Sequence, residues 1–212
     1  MNTPPVSLVH YTPYGDNLIA KMARVSSPSN QDNLETAPKL IKYLIKHNHW
    51  SPFEMVNMCV QIETTRSIAA QIIRHRSFSF QEFSQRYAEV LDKPKVPKLR
   101  RQDTENRQNS IDDLDSTNTM LFNRYIANHY DQAMAIYNDM LRAGIAKECA
   151  REVLPMGTST TLYMNGTVRS WLHYCDLRCG NGTQLEHRLI ADSCKELIGR
   201  CFPKVYEAKW GA

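Results

Sequence analysis

Between Val56 and Ile73 the chain changes its hydrophobic period from two to about 3.6 residues, and no single element satisfies both. Val56, Met58, Val60 and Ile62 alternate with Asn57, Cys59, Gln61 and Glu63, the pattern of a strand buried on one face. From Thr65 onward, Ile68, Ala69, Ile72 and Ile73 fall at helical spacing, so a strand hands over to a helix almost at once. A fold that contains this junction mixes sheet and helix around one core.

Elsewhere helices dominate. One is predicted over 17–25, closed by Ser26, Ser27 and Pro28. A second opens at Thr36 and Pro38, carries the stripe Leu40, Ile41, Leu44 and Ile45, and fades over 46–49. Ser51, Pro52 and Glu54 have the form of a capping box closing a short helical turn. Arg74 and His75 are expected in the last turn of the helix that follows the strand, where the helix dipole favours cations. Residues 77–87 then interleave Phe78, Phe80, Phe83 and Tyr87 with polar groups in neither period. Pro94, Pro97 and the polar run 103–115 mark about 88–118 as an exposed loop or insertion, whose order the sequence leaves open.

A long helix over 119–142 shows Phe122, Ile126, Ala133, Tyr137 and Met140 on one face, with Gly144 as its C-cap. A short helix over 146–154 stops at Pro155, and 158–164 reads as a strand. Thr167 caps a helix that buries Val168, Trp171, Leu172 and Cys175. Gly180 and Gly182 break it, and Thr183 with Glu186 forms a second capping box. That box opens a last helix, with Leu185, Leu189, Ile190, Leu197 and Ile198 inside, which Pro203 ends. This mixture predicts one α+β domain.

Composition narrows the function. With 42% hydrophobic and 23% charged residues over 212 positions, the chain can build a real core. No apolar run approaches the roughly 20 residues that span a bilayer. Residues 1–9 lack a basic segment leading into an apolar stretch, so no secretory leader is expected and a cytoplasmic location is the default. Six cysteines in such a chain point to reduced thiols. Cys175 and Cys179, even with His173 and His187 nearby, have the wrong spacing for a zinc knuckle, so no metal is expected. The net charge of +4 is spread along the chain, whereas duplex binders concentrate theirs. None of the eight glycines forms a dinucleotide or Walker loop.

The densest chemistry lies in Arg74-His75-Arg76 and in Gln81-Glu82-Phe83-Ser84-Gln85-Arg86. Three potential cations in a row repel one another unless an anion lies among them, and guanidinium forks match phosphate and carbonyl edges. Phe80 and Phe83 add apolar surface, giving the mixture a nucleotide site uses. A solvated helix end with an aromatic-anchored loop fits the same residues. So does a single-stranded nucleic-acid surface that stacks bases on Phe78, Phe80 and Phe83.

The pattern R-H-R, seven residues, Ser84, then Arg86 and Tyr87 resembles the signature of flavin-dependent thymidylate synthases. Ala23-Arg24-Val25-Ser26, His49-Trp50-Ser51-Pro52-Phe53-Glu54 and Ala150-Arg151-Glu152-Val153-Leu154-Pro155 resemble further elements of that family, in its order. Arg169-Ser170 and Leu177-Arg178, with Gln184 and Glu186 beyond, are similar to its C-terminal block. Residues 88–118 match nothing in particular.

The resemblance implies a single domain over 1–212 with a small, mostly antiparallel sheet packed by several helices. It implies reductive methylation of dUMP to dTMP, with the carbon from 5,10-methylenetetrahydrofolate and the hydride from FAD recharged by NADPH. The partners would be these small molecules rather than nucleic acid or membrane, in a homotetramer with sites where subunits meet. Ser51, Arg74, His75, Arg76, Glu82, Thr167, Arg169 and His173 would contact FAD. Gln71, Arg74, Glu82, Phe83, Ser84, Gln85, Arg86, Arg151 and Arg178 would contact dUMP. Arg178 is the expected catalytic residue, set against the uracil edge to stabilise the charge from ionisation at N3. Ser84 is assigned to binding, because a serine nucleophile needs an adjacent base and the sequence offers none. Thr167 and His173 stand where the family has asparagines, and Gly182-Thr183 replaces a bulkier residue and an alanine. An inactive flavin-binding relative would carry the same motifs without turnover.

Overall fold

The computed structural model describes residues 5–211; Met1 to Pro4 and Ala212, which the expected domain and the leader reading include, lie outside them. Among the described residues β1 (Val6–Tyr11), β2 (Asn57–Thr65), β3 (Ser79–Glu82) and β6 (Ser159–Thr167) form one sheet in the order β1-β2-β6-β3. Every pairing in it is antiparallel. β4 (Arg101–Gln102) and β5 (Ser110–Ile111) pair separately as a small hairpin inside the 88–118 segment. The predicted change of period is real: β2 passes into α3 (Arg66–Ile72) with no linker.

The long β2–β6 ladder, from Asn57 opposite Thr167 to Thr65 opposite Ser159, sets the register of the core. On its inner face Met58, Val60, Ile62, Leu162 and Met164 are fully buried, as strand alternation requires. α6 (Val168–Arg178) leaves β6 directly and lies over this face. The Thr167 hydroxyl accepts the Ser170 amide at 3.3 Å, the predicted N-cap. Trp171 is wholly buried, and its indole N–H donates to the Met58 carbonyl at 2.9 Å, so no polar atom of the ring is stranded. Gly166 leaves room for Phe78: a Cβ there would meet the ring at 2.4 Å. Phe78 therefore packs edge-on against Trp171, with ring centroids 4.8 Å apart.

α1 (Gly15–Ala23), α2 (Ala37–Lys46), α7 (Leu185–Cys201) and α8 (Pro203–Trp210) complete this core. α4 (Ser116–Arg142) buries only Tyr130, Ala133 and Tyr137, and packs beside α5 (Lys147–Ala150) over a second, smaller cluster. Gly144, at φ 82°, ends α4 in the left-handed conformation, and the Ile145 amide reaches back to the Met140 carbonyl at 2.9 Å.

Several expectations need correction. β1 and β3 escape the periodicity reading because they are the two edges of the sheet, where one side of the strand needs no apolar partner; in β1 only Val6 is buried. Neither capping box forms. Ser51 caps nothing in the turn Ser51–Met55, and Glu54 reaches Arg169 instead. Thr183 donates to the Leu177 carbonyl at 3.4 Å, and Glu186 pairs with Arg100. α3 ends at Ile72, so Arg74 and His75 sit in the turn beyond it. α4 starts at Ser116, earlier than read, because Asp115 caps it through the Asn118 amide at 2.8 Å. Pro203 ends one helix and also begins another, the first-turn position where a missing N–H costs nothing.

α8 has a remote cap. The buried Asp16 carboxylate, from α1, accepts the Lys204 and Val205 amides at 2.9 and 3.1 Å. Burial raises its pKa, against the opposing pull of those two amides. Asp16→Ala should lower stability by about 1–2 kcal/mol, the usual scale for a lost helix cap, as read by equilibrium urea unfolding. A change indistinguishable from zero would contradict this role.

Candidate functional site

The turn after α3 is shaped by its aromatic anchor. Phe78 is held in the core, so the charged residues before it stay at the surface: Arg74 and Arg76 are exposed. His75 is half-buried, edge-on to Tyr174 with ring centroids 4.9 Å apart. Its Nε2 accepts a hydrogen bond from Arg178 Nε at 2.9 Å, which places the proton of the neutral ring on Nδ1. Burial, then the Arg178 and His173 charges, push the His75 pKa down to about 4. At neutral pH the imidazole is therefore an acceptor, and it fixes the last residue of α6 by Nε alone. The terminal guanidinium nitrogens remain for another acceptor.

Behind this pair lies a residue that the sequence reading weighed only as a zinc ligand. His187 is fully buried, its Nε2 is 3.1 Å from the Tyr174 hydroxyl, and its Nδ1 has no partner. Burial, then the Arg178 and His75 charges, lower its pKa to about 4. Its place on the inward stripe of α7, with Ile190, Ala191 and Cys194, was the signal that could have found it. Among the described residues no three His, Cys, Asp or Glu side chains are grouped to hold a metal ion, and the six cysteines are free.

On the other side of the motif the Ser84 carbonyl accepts the Tyr87 and Ala88 amides, a turn that presents Ser84, Arg86 and Tyr87. They line a cleft of about 460 Å³ with Ala146, Lys147 and Glu148. Arg86 Nε donates to Glu148 at 3.2 Å, so the carboxylate lining the cleft with Ser84 is engaged by an arginine, and no histidine lines the cleft. A second cleft, of about 340 Å³, is lined by Gln85, Arg151, Arg66 and Pro155 among others. Gln85 is buried there, and its amide nitrogen has no hydrogen-bond partner. Glu82 is occupied within the chain, accepting from Arg66 at 2.6 Å and from Thr160 at 3.0 Å. Phe83 lines a different depression, with Glu89 and Val90, so the structure does not bring it into either cleft.

A third group surrounds the start of α6. Arg169, ion-paired to Glu54, lines two clefts of about 570 and 520 Å³. The larger also takes in Trp50, Ser77 and His173, and the smaller takes in Ser51. Thr167 serves the helix cap and lines neither cleft. Gln71 donates to Gln184 at 2.7 Å. The expected residues thus fall into three neighbourhoods rather than one closed pocket. The nucleic-acid reading loses its stacking platform, since Phe78 belongs to the core and Phe80 is packed against it.

Residues 7–204 match the family described as "Thymidylate synthase complementing protein". A "Probable flavin-dependent thymidylate synthase" of Paramecium bursaria Chlorella virus 1 is 50% identical over 193 residues, 91% of this chain and 89% of the viral one. A "Flavin-dependent thymidylate synthase" of Synechocystis sp. is also 50% identical, covering 91% and 88% of the two chains. Among solved structures, the UMP/dUMP methylase PolB from Streptomyces cacaoi, bound with 5-Br dUMP, superposes with a TM-score of 0.83 at 27% identity. That alignment covers 96% of this chain and 93% of the other. The chain belongs to the flavin-dependent thymidylate synthase family, and is a methyltransferase enzyme of that family.

The buried imidazoles predict a pH dependence. In the unfolded chain they bind protons near pH 6.5, whereas in the fold they resist until about 4. The unfolded state therefore binds more protons between these values, and stability falls as pH drops through that window. His187→Gln, which keeps a hydrogen-bonding partner for Tyr174 and does not titrate, should lose less melting temperature between pH 7 and pH 5 than the unaltered protein. Equal losses would contradict the assignment.

Proposed function

We propose that the enzyme methylates dUMP to dTMP, using 5,10-methylenetetrahydrofolate as carbon donor and FAD, recharged by NADPH, as hydride carrier. The observation that carries the nucleotide part is the buried, unpartnered Gln85 amide in a cleft with Arg151, next in sequence to Ser84 and Arg86. A buried donor without an acceptor costs roughly 1–3 kcal/mol, and a nucleotide carbonyl or phosphate oxygen would satisfy it. The superposable methylase bound with a brominated dUMP supports the same substrate.

The donor set at the start of α6 suits FAD. Arg169, Ser51 and His173 offer hydrogen-bonding groups beside the apolar faces of Trp50 and Leu172, and exposed Arg74 and Arg76 suit a pyrophosphate. When bound, FAD supplies the hydride. Arg86 and Arg151 hold the dUMP phosphate, Ser84 donates to it, and Gln85 orients the base. Arg178, steadied by neutral His75, directs its free guanidinium edge at the uracil and stabilises negative charge there.

The open clefts support the homotetramer expected for the family. So does α4, which exposes Met120, Phe122, Tyr125 and Ile136 along its length. Free thiols suit a reducing compartment, in keeping with a cytoplasmic enzyme.

Purified protein should show flavin absorbance and form dTMP from dUMP, methylenetetrahydrofolate and NADPH. Flavin absorbance without dTMP would mean an inactive relative, and a colourless protein would contradict the reading. Gln85→Leu should raise the dUMP Kd about tenfold, the scale of one buried hydrogen bond, with flavin absorbance unchanged. Ser84→Ala should weaken dUMP binding yet leave measurable turnover. Loss of all turnover with binding intact would instead make Ser84 the nucleophile.

A further inference from the structure

The 88–118 segment is tied to α4 through Val90 and Lys93, and to α7 by one partly sheltered ion pair. Arg100 donates to both carboxylate oxygens of Glu186, at 2.7 and 3.0 Å, and its Nε donates to the Ser110 hydroxyl at 2.8 Å on the β4–β5 hairpin. The Arg100 side chain is only 10% exposed, unlike Lys98 and Arg101 of the same insertion, which pair at the surface. Fork-to-fork pairing of this kind fixes geometry as well as charge. Burial works to raise the Glu186 pKa, but the hydrogen bonds from Arg100, from its own backbone amide and from Gln184 outweigh it, so the carboxyl stays ionised.

The pair continues along the surface as a line of hydrogen bonds to α3. Gln184 Nε2 donates to Glu186 at 2.9 Å, and Gln71 Nε2 donates to Gln184 Oε1 at 2.7 Å. The direction of this line is dictated from its charged end. An ionised carboxylate only accepts, so the end of Gln184 that meets it must be the NH2 group. Gln184 then turns its carbonyl to Gln71, which must answer with its own NH2. Gln71 is left presenting its carbonyl oxygen, an acceptor. A side-chain amide without such a constraint flips between two nearly isosteric states.

We propose that Arg100 is a positioning residue for the nucleotide site: through Glu186 it sets the facing of the Gln184 and Gln71 amides, so that Gln71 offers an acceptor to an O–H or N–H of the bound nucleotide. The proposal rests on Gln71 belonging to the dUMP site, as the family resemblance implies. It gives the 88–118 segment a task in substrate recognition. It also distinguishes Arg100 from its exposed neighbours, whose pairs hold the hairpin together.

The test is dUMP binding by calorimetry, with steady-state kinetics, flavin absorbance and melting temperature on the same samples. Arg100→Met and the nearly isosteric Glu186→Gln should each raise the dUMP Kd and KM about tenfold, with kcat within about twofold and flavin absorbance unchanged. Arg100→Lys should recover part of the loss, because an ammonium cannot hold both carboxylate oxygens as a guanidinium does. Hydrogen exchange over 88–118 should rise in Arg100→Met. Unaltered dUMP binding in both Arg100→Met and Glu186→Gln, where the parent protein binds dUMP, would overturn the relay alone. A parent protein that binds no dUMP would overturn the relay together with the reading of the clefts. Parallel loss of melting temperature, flavin and dUMP affinity in Glu186→Gln would reduce the pair to a structural tie.

Discussion

Phe78 occupies the notch that Gly166 leaves in β6, with Trp171 and Tyr174 against its ring. That one packing contact joins the sheet, α6 and the charged motif. Because the ring cannot leave the core without opening a cavity, the chain on either side of it has fixed exits. Upstream, Arg74, His75 and Arg76 emerge beside the C-terminal end of α6. Downstream, β3 pairs with β6 and carries the chain to the Ser84 turn. The two ends of the motif thus leave the core in different directions while sharing one anchor, and the downstream end lines the Ser84 cleft.

The strength of the local ion pairs suggests how these clefts accept ligands. Arg86 and Glu148 are both more than half exposed, at 66% and 55%, and such pairs contribute about 0–1 kcal/mol. Arg169 with Glu54 is similarly open. Neither pair therefore holds its arginine strongly. Arg66 with Glu82 is more sheltered and shares Thr160, so it behaves as part of the scaffold that aims the motif. Gln85 differs from all of these. Its amide nitrogen has no partner within the chain.

Much of this was legible in the sequence wherever one face of an element is buried. The alternation through Met58, Val60 and Ile62, the stripe Val168, Trp171, Leu172 and Cys175, the Thr167 cap and the Gly144 stop all follow from local chemistry, and the structure has them. Edge strands were not legible, because β1 packs only Val6 and β3 is four residues long. Capping boxes at Ser51 and Thr183 were misread for a different reason. Glu54 and Glu186 had remote arginines available, and a charged partner outcompetes a local amide. For the site, the motif supplied the candidate residues. It could not reveal that Phe78 is a core residue, that His187 lies behind His75, or that Arg100 comes back from the insertion to α7. Those are facts of tertiary contact between residues 86 or more positions apart in the last case, which spacing does not encode.

Arg178, held by neutral His75, is proposed to supply charge stabilisation to the reacting base. Arg178→Lys separates this from simple binding, because an ammonium keeps the charge but cannot bond His75 and the uracil edge in the same planar geometry. The direct measurement is dTMP formation at saturating dUMP, with dUMP affinity determined in parallel. The account predicts a fall in kcat of about 10²–10³, the scale of a lost oxyanion-type donor, with the dUMP Kd changed only a few fold. An unchanged kcat, or a loss confined to dUMP affinity, would contradict it.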